Sequence, residues 1–190
     1  MDIWSWLAVN FDLPILEWIA NNLRNPFLNF VMPIITMLGD AGIFWIACAV
    51  LFLVFPKTRK MGLTMGVSLL IGLLLCNVTL KPLIDRVRPY DYSKEYMQYL
   101  MTSIHHDGSF PSGHTIASFE AATAICIYNK KLGTVALVLA VLIAFSRLYL
   151  FVHYPTDVLA SVVLGTGIAF LGKFLVNKGY ALWEAKKQKA

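Results

Sequence analysis

Three short blocks in the second half of the chain carry side chains suited to one kind of chemistry. The first reads Lys81-Pro82-Leu83-Ile84-Asp85-Arg86-Val87-Arg88-Pro89 and the second Phe110-Pro111-Ser112-Gly113-His114. The third is Ser146-Arg147 and, after five residues, His153-Tyr154-Pro155-Thr156-Asp157. A phosphoryl group in transfer spreads negative charge over three equatorial oxygens. Lys81, Arg88 and Arg147 can neutralise that charge, the arginines as bidentate forks and the lysine as a point charge. Ser112 and Gly113 open a helix whose free N–H groups and positive dipole end favour an anion. A neutral histidine is a competent nucleophile toward phosphorus, and a second, protonated one can give its proton to the leaving oxygen. Asp157 lies four residues beyond His153, with Pro155 as a helix start between them. It can hold the imidazole tautomer so that the opposite nitrogen attacks. This chemistry needs neither a metal nor a cofactor, and none is expected.

The elements that must position these residues are membrane helices. Uncharged runs recur at 25–39, 41–56, 61–80, 112–129, 132–146 and 158–172, the fourth holding one acid, Glu120. The run at 61–80 is 20 residues long, which at about 1.5 Å per residue matches a hydrocarbon thickness of about 30 Å. The first run is short and holds Pro33. Before it, Ile15, Leu16, Trp18, Ile19 and Leu23 share one helical face with Asn21, Asn22 and Arg24 opposite. Together with Trp4 and Trp6, this marks an amphipathic helix lying at the membrane interface. The expectation is an all-α polytopic bundle of about six spans, in a single domain over 1–190. Within it, 1–24 forms the interfacial helix, 25–176 the bundle and 177–190 a basic tail.

Composition agrees. Of 190 residues, 58% are hydrophobic and 14% charged, with a mean hydropathy of +0.65. That is too little polar surface for a water-exposed globule, and it excludes disorder, coiled coil and collagen. The net charge of +5 does not make a nucleic-acid binder, because the basic residues are distributed as membrane topology requires. Six spans with Arg24 inside put 11 of the 16 Lys and Arg on one side. The positive-inside rule then places both termini in the cytoplasm and the three blocks outside. The long connection, 81–111, falls on that outer face, where a loop of such length is functional or disordered. Cys48, Cys76 and Cys126 are odd in number and each lies in an apolar run, which reads as core packing.

In type, spacing and order the three blocks resemble the phosphatidic acid phosphatase type 2 superfamily, which includes vanadium haloperoxidases and glucose-6-phosphatase. Its pattern is a lysine, six residues and Arg-Pro; then Pro-Ser-Gly-His; then Ser-Arg, five residues, His, three residues and Asp. The resemblance implies that His153 forms a phosphohistidine, that Asp157 orients it, and that His114 protonates the leaving group. It assigns the phosphate to Lys81, Arg88, Ser112, Gly113 and Arg147. Phe151 and Ser161 stand where many relatives have glycine.

The expected activity is hydrolysis of a lipid phosphate or diphosphate on the extracytoplasmic face. The resemblance suggests undecaprenyl diphosphate, phosphatidylglycerophosphate or phosphatidic acid as substrate, Gly113 tilting toward broad or phospholipid specificity. A lipid phosphotransferase with an alcohol acceptor and a non-catalytic lipid-phosphate transporter or scaffold are the alternatives. The partners are the substrate lipid and the bilayer, with no nucleic acid; oligomeric state is not legible. Three further features stand apart. His105-His106-Asp107 reads as solvated loop rather than a metal site. Glu120, six residues and about 240° beyond His114, either pairs with a neighbouring helix, lines a polar cavity or stays protonated. Tyr92, Tyr96, Met97 and Tyr99 in the 91–107 loop form a lid or sit among headgroups.

Overall fold

A computed structural model describes residues 2–188. Asp2 caps a short α1 (Ile3–Leu7). A wide turn at Ala8–Asp12 leads into α2 (Leu13–Asn22), with Pro14 in its first turn. Asn25 caps α3 (Pro26–Met37), whose Oδ1 accepts from the Leu28 amide. The chain then turns at Asp40–Gly42, where Ala41 and Gly42 take left-handed conformations, and continues as α4 (Ile43–Val54). Next come α5 (Arg59–Leu73), a wide-turn segment at Leu74–Leu80 and a single turn, α6 (Lys81–Ile84). The bundle closes with α7 (Gly113–Tyr128), α8 (Lys130–Tyr149) and α9 (Pro155–Lys187).

Helix α7 is the hub, flanked by α8, α9 and α5. Its middle is built from small side chains, and Ala121, Ala122 and Ala124 are fully buried. Small residues let helix backbones approach where lipid supplies no hydrophobic drive between them. Glycines on the neighbours complete the fit. A Cβ at Gly133 of α8 would stand 2.1 Å from Cys126 Cα, and one at Gly165 of α9 would stand 2.8 Å from the Ile116 carbonyl. The outward faces carry exposed Val135, Val138, Val163, Phe170 and Phe174, an apolar surface that water does not tolerate and lipid does.

The count of spans differs from the sequence expectation. Among the described residues, three helical runs are long and apolar enough to cross a membrane: those beginning at Arg59, Lys130 and Pro155. Helices α3 and α4 pass only together, as a pair bent by 42°. Each has 12 residues, about 18 Å of helix, short of a bilayer. By length and composition the pair is a broken span or a re-entrant loop, with its break at Gly39–Gly42. Helix α9 also runs unbroken to Lys187, so the expected tail begins as a continuation of the last span.

Side-chain contacts fix where the N-terminal segment lies along the bundle. Arg24 donates to the Tyr99 and Tyr149 carbonyls, and Trp4 packs on Phe110. These partners belong to the end that holds the 81–111 loop. At the opposite end Lys60 stacks on Tyr180 of α9. The N-terminal helices thus lie over the loop end, and α9 finishes at the far end. Among the described residues, nine of the 16 basic residues lie at the far end.

Two outcomes follow. With Cys48, Cys76 and Cys126 replaced by alanine, Asn21→Cys and Lys94→Cys should react with an impermeant maleimide from the same side of a sealed membrane, and Lys131→Cys from the other. Gly133→Ala should lower thermal stability in detergent by about 1–3 kcal/mol, because α8 must retreat from the α7 backbone. Gly167→Ala, which meets nothing within 4 Å, should not.

Candidate active site

Helix ends and one loop deliver the three blocks to a single cavity of about 580 Å³. Of the eight residues expected from sequence, Lys81, Arg88, Gly113, His114, Arg147 and His153 line it. Asp157 and Ser112 stand behind. Asp157 Oδ2 is 3.6 Å from His153 Nδ1, just beyond hydrogen-bond length. That places the carboxylate on the Nδ1 side and leaves Nε2 as the nitrogen able to face the cavity. His153 is buried, and this burial, followed by the charges of Arg88, Arg147 and Lys81, holds its pKa well below the usual value. At neutral pH the ring is therefore an unprotonated base. Ser112 caps α7: its hydroxyl accepts from the Thr115 hydroxyl, and its amide donates to Ser161 Oγ.

Ser161 is one of the two positions where relatives often carry glycine, and it joins two of the blocks. Its hydroxyl accepts from Ser112 and donates to the Asp157 carbonyl. Phe151 is the other. It adopts φ +63°, a conformation natural to glycine and costing another residue about 1–2 kcal/mol. In return its buried ring packs on Tyr96 and Tyr99 at centroid distances of 5.9 and 5.1 Å. The Tyr96 hydroxyl donates to Glu17 of α2. The tyrosines of the 91–107 loop thus tie it to the N-terminal helices and to the turn that carries His153.

Several site residues were not assigned from sequence. Arg86 lies behind His153 and joins two carboxylates: Nη2 donates to Asp12 at 2.7 Å and Nη1 to Asp157 at 2.5 Å. Nη1 also donates to Thr156 Oγ1, and the guanidinium stacks on Tyr154, 3.9 Å from the ring centroid. Asp12 further accepts from the Thr156 amide and hydroxyl. The α3–α4 break supplies two more groups. Asp40 Oδ1 lies 2.8 Å from His114 Nε2, and Thr36 accepts from Arg147 Nη1 at 2.5 Å. Gly39 backs the His114 ring, where a Cβ would come within 2.5 Å of Cδ2. Two other positive charges in the first block, Lys81 and Arg88, share the spacing that named them; Arg86 carried no signal beyond being a third.

The His105-His106-Asp107 stretch corrects the expectation of a solvated loop. His105 and Asp107 line the cavity, whereas His106 is exposed. Asp107 Oδ1 accepts from Arg88 Nη2 at 2.7 Å and Oδ2 from Lys81 Nζ. These two cations hold the Asp107 carboxyl at about 2 despite its partial burial, so it is ionised at any working pH. His105 Nε2 lies 3.4 Å from Arg147 Nη2. Burial, with Arg88 and Arg147 adding, pushes it down to about 4. Glu120 lines the same cavity deeper in, against Gly72 and Gly165, and its Oε2 has no hydrogen-bond partner among the described residues.

Below the cationic end the cavity is apolar, walled by Ile46, Val50 and Leu53 of α4 and Leu69, Leu70 and Leu73 of α5. Ile46, Val50, Leu70 and Leu73 are each about half exposed. The cavity therefore opens sideways between the two helices, at the level of the hydrocarbon. One compartment combines a cationic, histidine-bearing end with a lipid-facing apolar flank.

Comparisons with known proteins agree with this geometry. The family model described as the PAP2 superfamily matches residues 61–180. The chain is 34% identical over 172 residues to an undecaprenyl-diphosphatase of Sulfolobus acidocaldarius, covering 90% of this chain and 81% of that one. It is 35% identical over 173 residues to phosphatidylglycerophosphatase B of Bacillus subtilis, covering 80% and 76%. Among solved structures, it is similar to a transmembrane PAP2-type phosphatidylglycerolphosphate phosphatase from Bacillus subtilis. There the TM-score is 0.70 at 30% identity, over 92% of this chain and 90% of the other.

Arg86→Met should leave Asp12 and Asp157 buried without their cation, at a cost of about 3–5 kcal/mol. The thermal midpoint in detergent should fall accordingly. Arg86→Lys, a point charge without the fork, should recover only part of the loss.

Proposed function

The chain belongs to the PAP2 superfamily, and from that premise we propose that it is a membrane lipid phosphatase working through a phosphohistidine. The observation that carries the reading is the convergence of Lys81, Arg88, Arg147, His114 and His153 on one cavity, with Asp157 behind His153. In the proposed reaction His153 Nε2 attacks phosphorus as the bond to the leaving oxygen breaks. His114 gives that oxygen its proton. Lys81, Arg88 and Arg147 take up the charge on the equatorial oxygens, and Gly113 lets the start of α7 come close to them, in a position held by Ser112. Water, giving its proton to His114, then attacks phosphorus as the P–N bond breaks, which frees His153 Nε2 and releases inorganic phosphate. Each step moves only protons and a phosphoryl group among protein side chains, so no metal is invoked.

The substrate class follows from the two halves of the cavity. A phosphate head meets the cations while an apolar tail leaves between α4 and α5 into the bilayer. Undecaprenyl diphosphate, phosphatidylglycerophosphate and phosphatidic acid all have this form, and the relatives' names include the first two. The site end is proposed to face away from the cytoplasm, supported by the nine described basic residues at the far end.

The protein in detergent should release inorganic phosphate from phosphatidic acid or undecaprenyl diphosphate in excess chelator. His153→Ala should lower the rate about 10³-fold or more, in line with loss of a covalent nucleophile. A variant retaining full turnover would remove His153 from that role, and an absolute need for a divalent ion would remove the mechanism.

A further inference from the structure

The cationic end of the cavity already holds an anion, and that anion is part of the chain. Arg88 has its fork engaged: Nε donates to the Asp107 carbonyl at 2.9 Å, Nη1 to the Val152 carbonyl at 2.9 Å and Nη2 to Asp107 Oδ1 at 2.7 Å. Lys81 donates to the other Asp107 oxygen. A phosphate taking both cations must first displace Asp107. The side chain is free to leave, since it is 51% exposed and sits in an irregular stretch between Tyr99 and the start of α7. Arg86, held by carboxylates with no exposure, has no such freedom.

Resting on the reading of this cavity as a lipid-phosphate site, we propose that Asp107 is a specificity-determining residue: a tethered anion that admits terminal phosphate groups and turns away phosphodiesters. The carboxylate carries one negative charge and two acceptor oxygens. A phosphodiester headgroup, the commonest phosphate in a bilayer, offers the same charge and two free oxygens. Exchanging one for the other gains nothing, and the tethered group competes at the high effective concentration of an intramolecular ligand. A phosphate monoester or a diphosphate brings more charge and a third terminal oxygen. Arg147 meets that surplus: its Nε has no partner among the described residues, and Asp107 does not touch it. The discrimination is thus made before any bond breaks, at the cations, by the difference between one charge and two.

Removing the competitor raises affinity. If Asp107 occupies the cations about ten times as often as it leaves them, apparent affinity in the intact chain is about tenfold below intrinsic. Binding of inorganic phosphate and of orthovanadate to the full-length protein in detergent, followed by titration calorimetry, should therefore tighten about tenfold in Asp107→Asn. Dihexanoylphosphatidylglycerol, a phosphodiester, should displace vanadate from Asp107→Asn and leave the parent protein unaffected. Asp107→Ser serves as a second variant of smaller size, and Asp107→Glu should restore the parent's selectivity. Unchanged or weaker phosphate binding in both Asp107→Asn and Asp107→Ser overturns the proposal and makes Asp107 a support for the cations. So does parent protein that binds the phosphodiester as tightly as phosphate. These measurements need no turnover. A protein that binds phosphate as described yet hydrolyses no lipid phosphate would refute the proposed activity and leave the role of Asp107 standing.

Discussion

Arg86 is the constraint on which the arrangement depends. One guanidinium, buried between Asp12 and Asp157 and stacked on Tyr154, ties the N-terminal segment, the long loop and the start of α9 into one cluster. Taking three charges out of water is costly, and the cluster repays it only while its donors and acceptors stay matched. Thr156 matches two of them through its amide and hydroxyl. The consequence for chemistry is indirect but firm. Asp157 cannot move without breaking its bond to Arg86, so the carboxylate beside His153 is fixed by a residue that never reaches the cavity.

The second organising feature is the break between α3 and α4. A continuous helix of that length would cross the bilayer and offer only side chains on its flank. The bend instead brings a helix end and a turn to the cavity, placing Asp40 against His114 and Thr36 against Arg147. Gly39 leaves room for the histidine ring, and the left-handed residues Ala41 and Gly42 redirect the chain. The N-terminal helices rest over the loop end, where Arg86 holds them through Asp12. Fold and site share the same cause.

The cavity then sorts its occupant by physics at two heights. Near the loop, three cations and three histidines meet charge. Farther in, α4 and α5 part to expose apolar side chains to lipid. A lipid phosphate is shaped to satisfy both at once, and neither inorganic phosphate nor a neutral lipid is. Glu120 interrupts the apolar part as a polar group, in a pocket that Gly72 of α5 leaves open for its carboxyl.

The sequence alone determined the class of fold and singled out the residues proposed for the chemistry. Hydrophobic runs too long and too bare of charge for a water-soluble protein force membrane helices, and side-chain type at set spacing shows which groups can hold and attack phosphate. Those properties are local, so they are legible without coordinates. The break between α3 and α4, the lie of the N-terminal helices over the loop end and the partners of the candidate site residues were decided only in three dimensions. A Pro- and Gly-broken run of the composition of 25–56 serves a hairpin as well as a bent rod, and packing against α8 selects between them. Arg86 and Arg88 are near-identical in one dimension. They differ because one meets Asp12 and Asp157, 74 and 71 residues away, while the other meets Asp107. Ion pairs that span such separations are set by tertiary geometry, and no periodicity in the chain announces them.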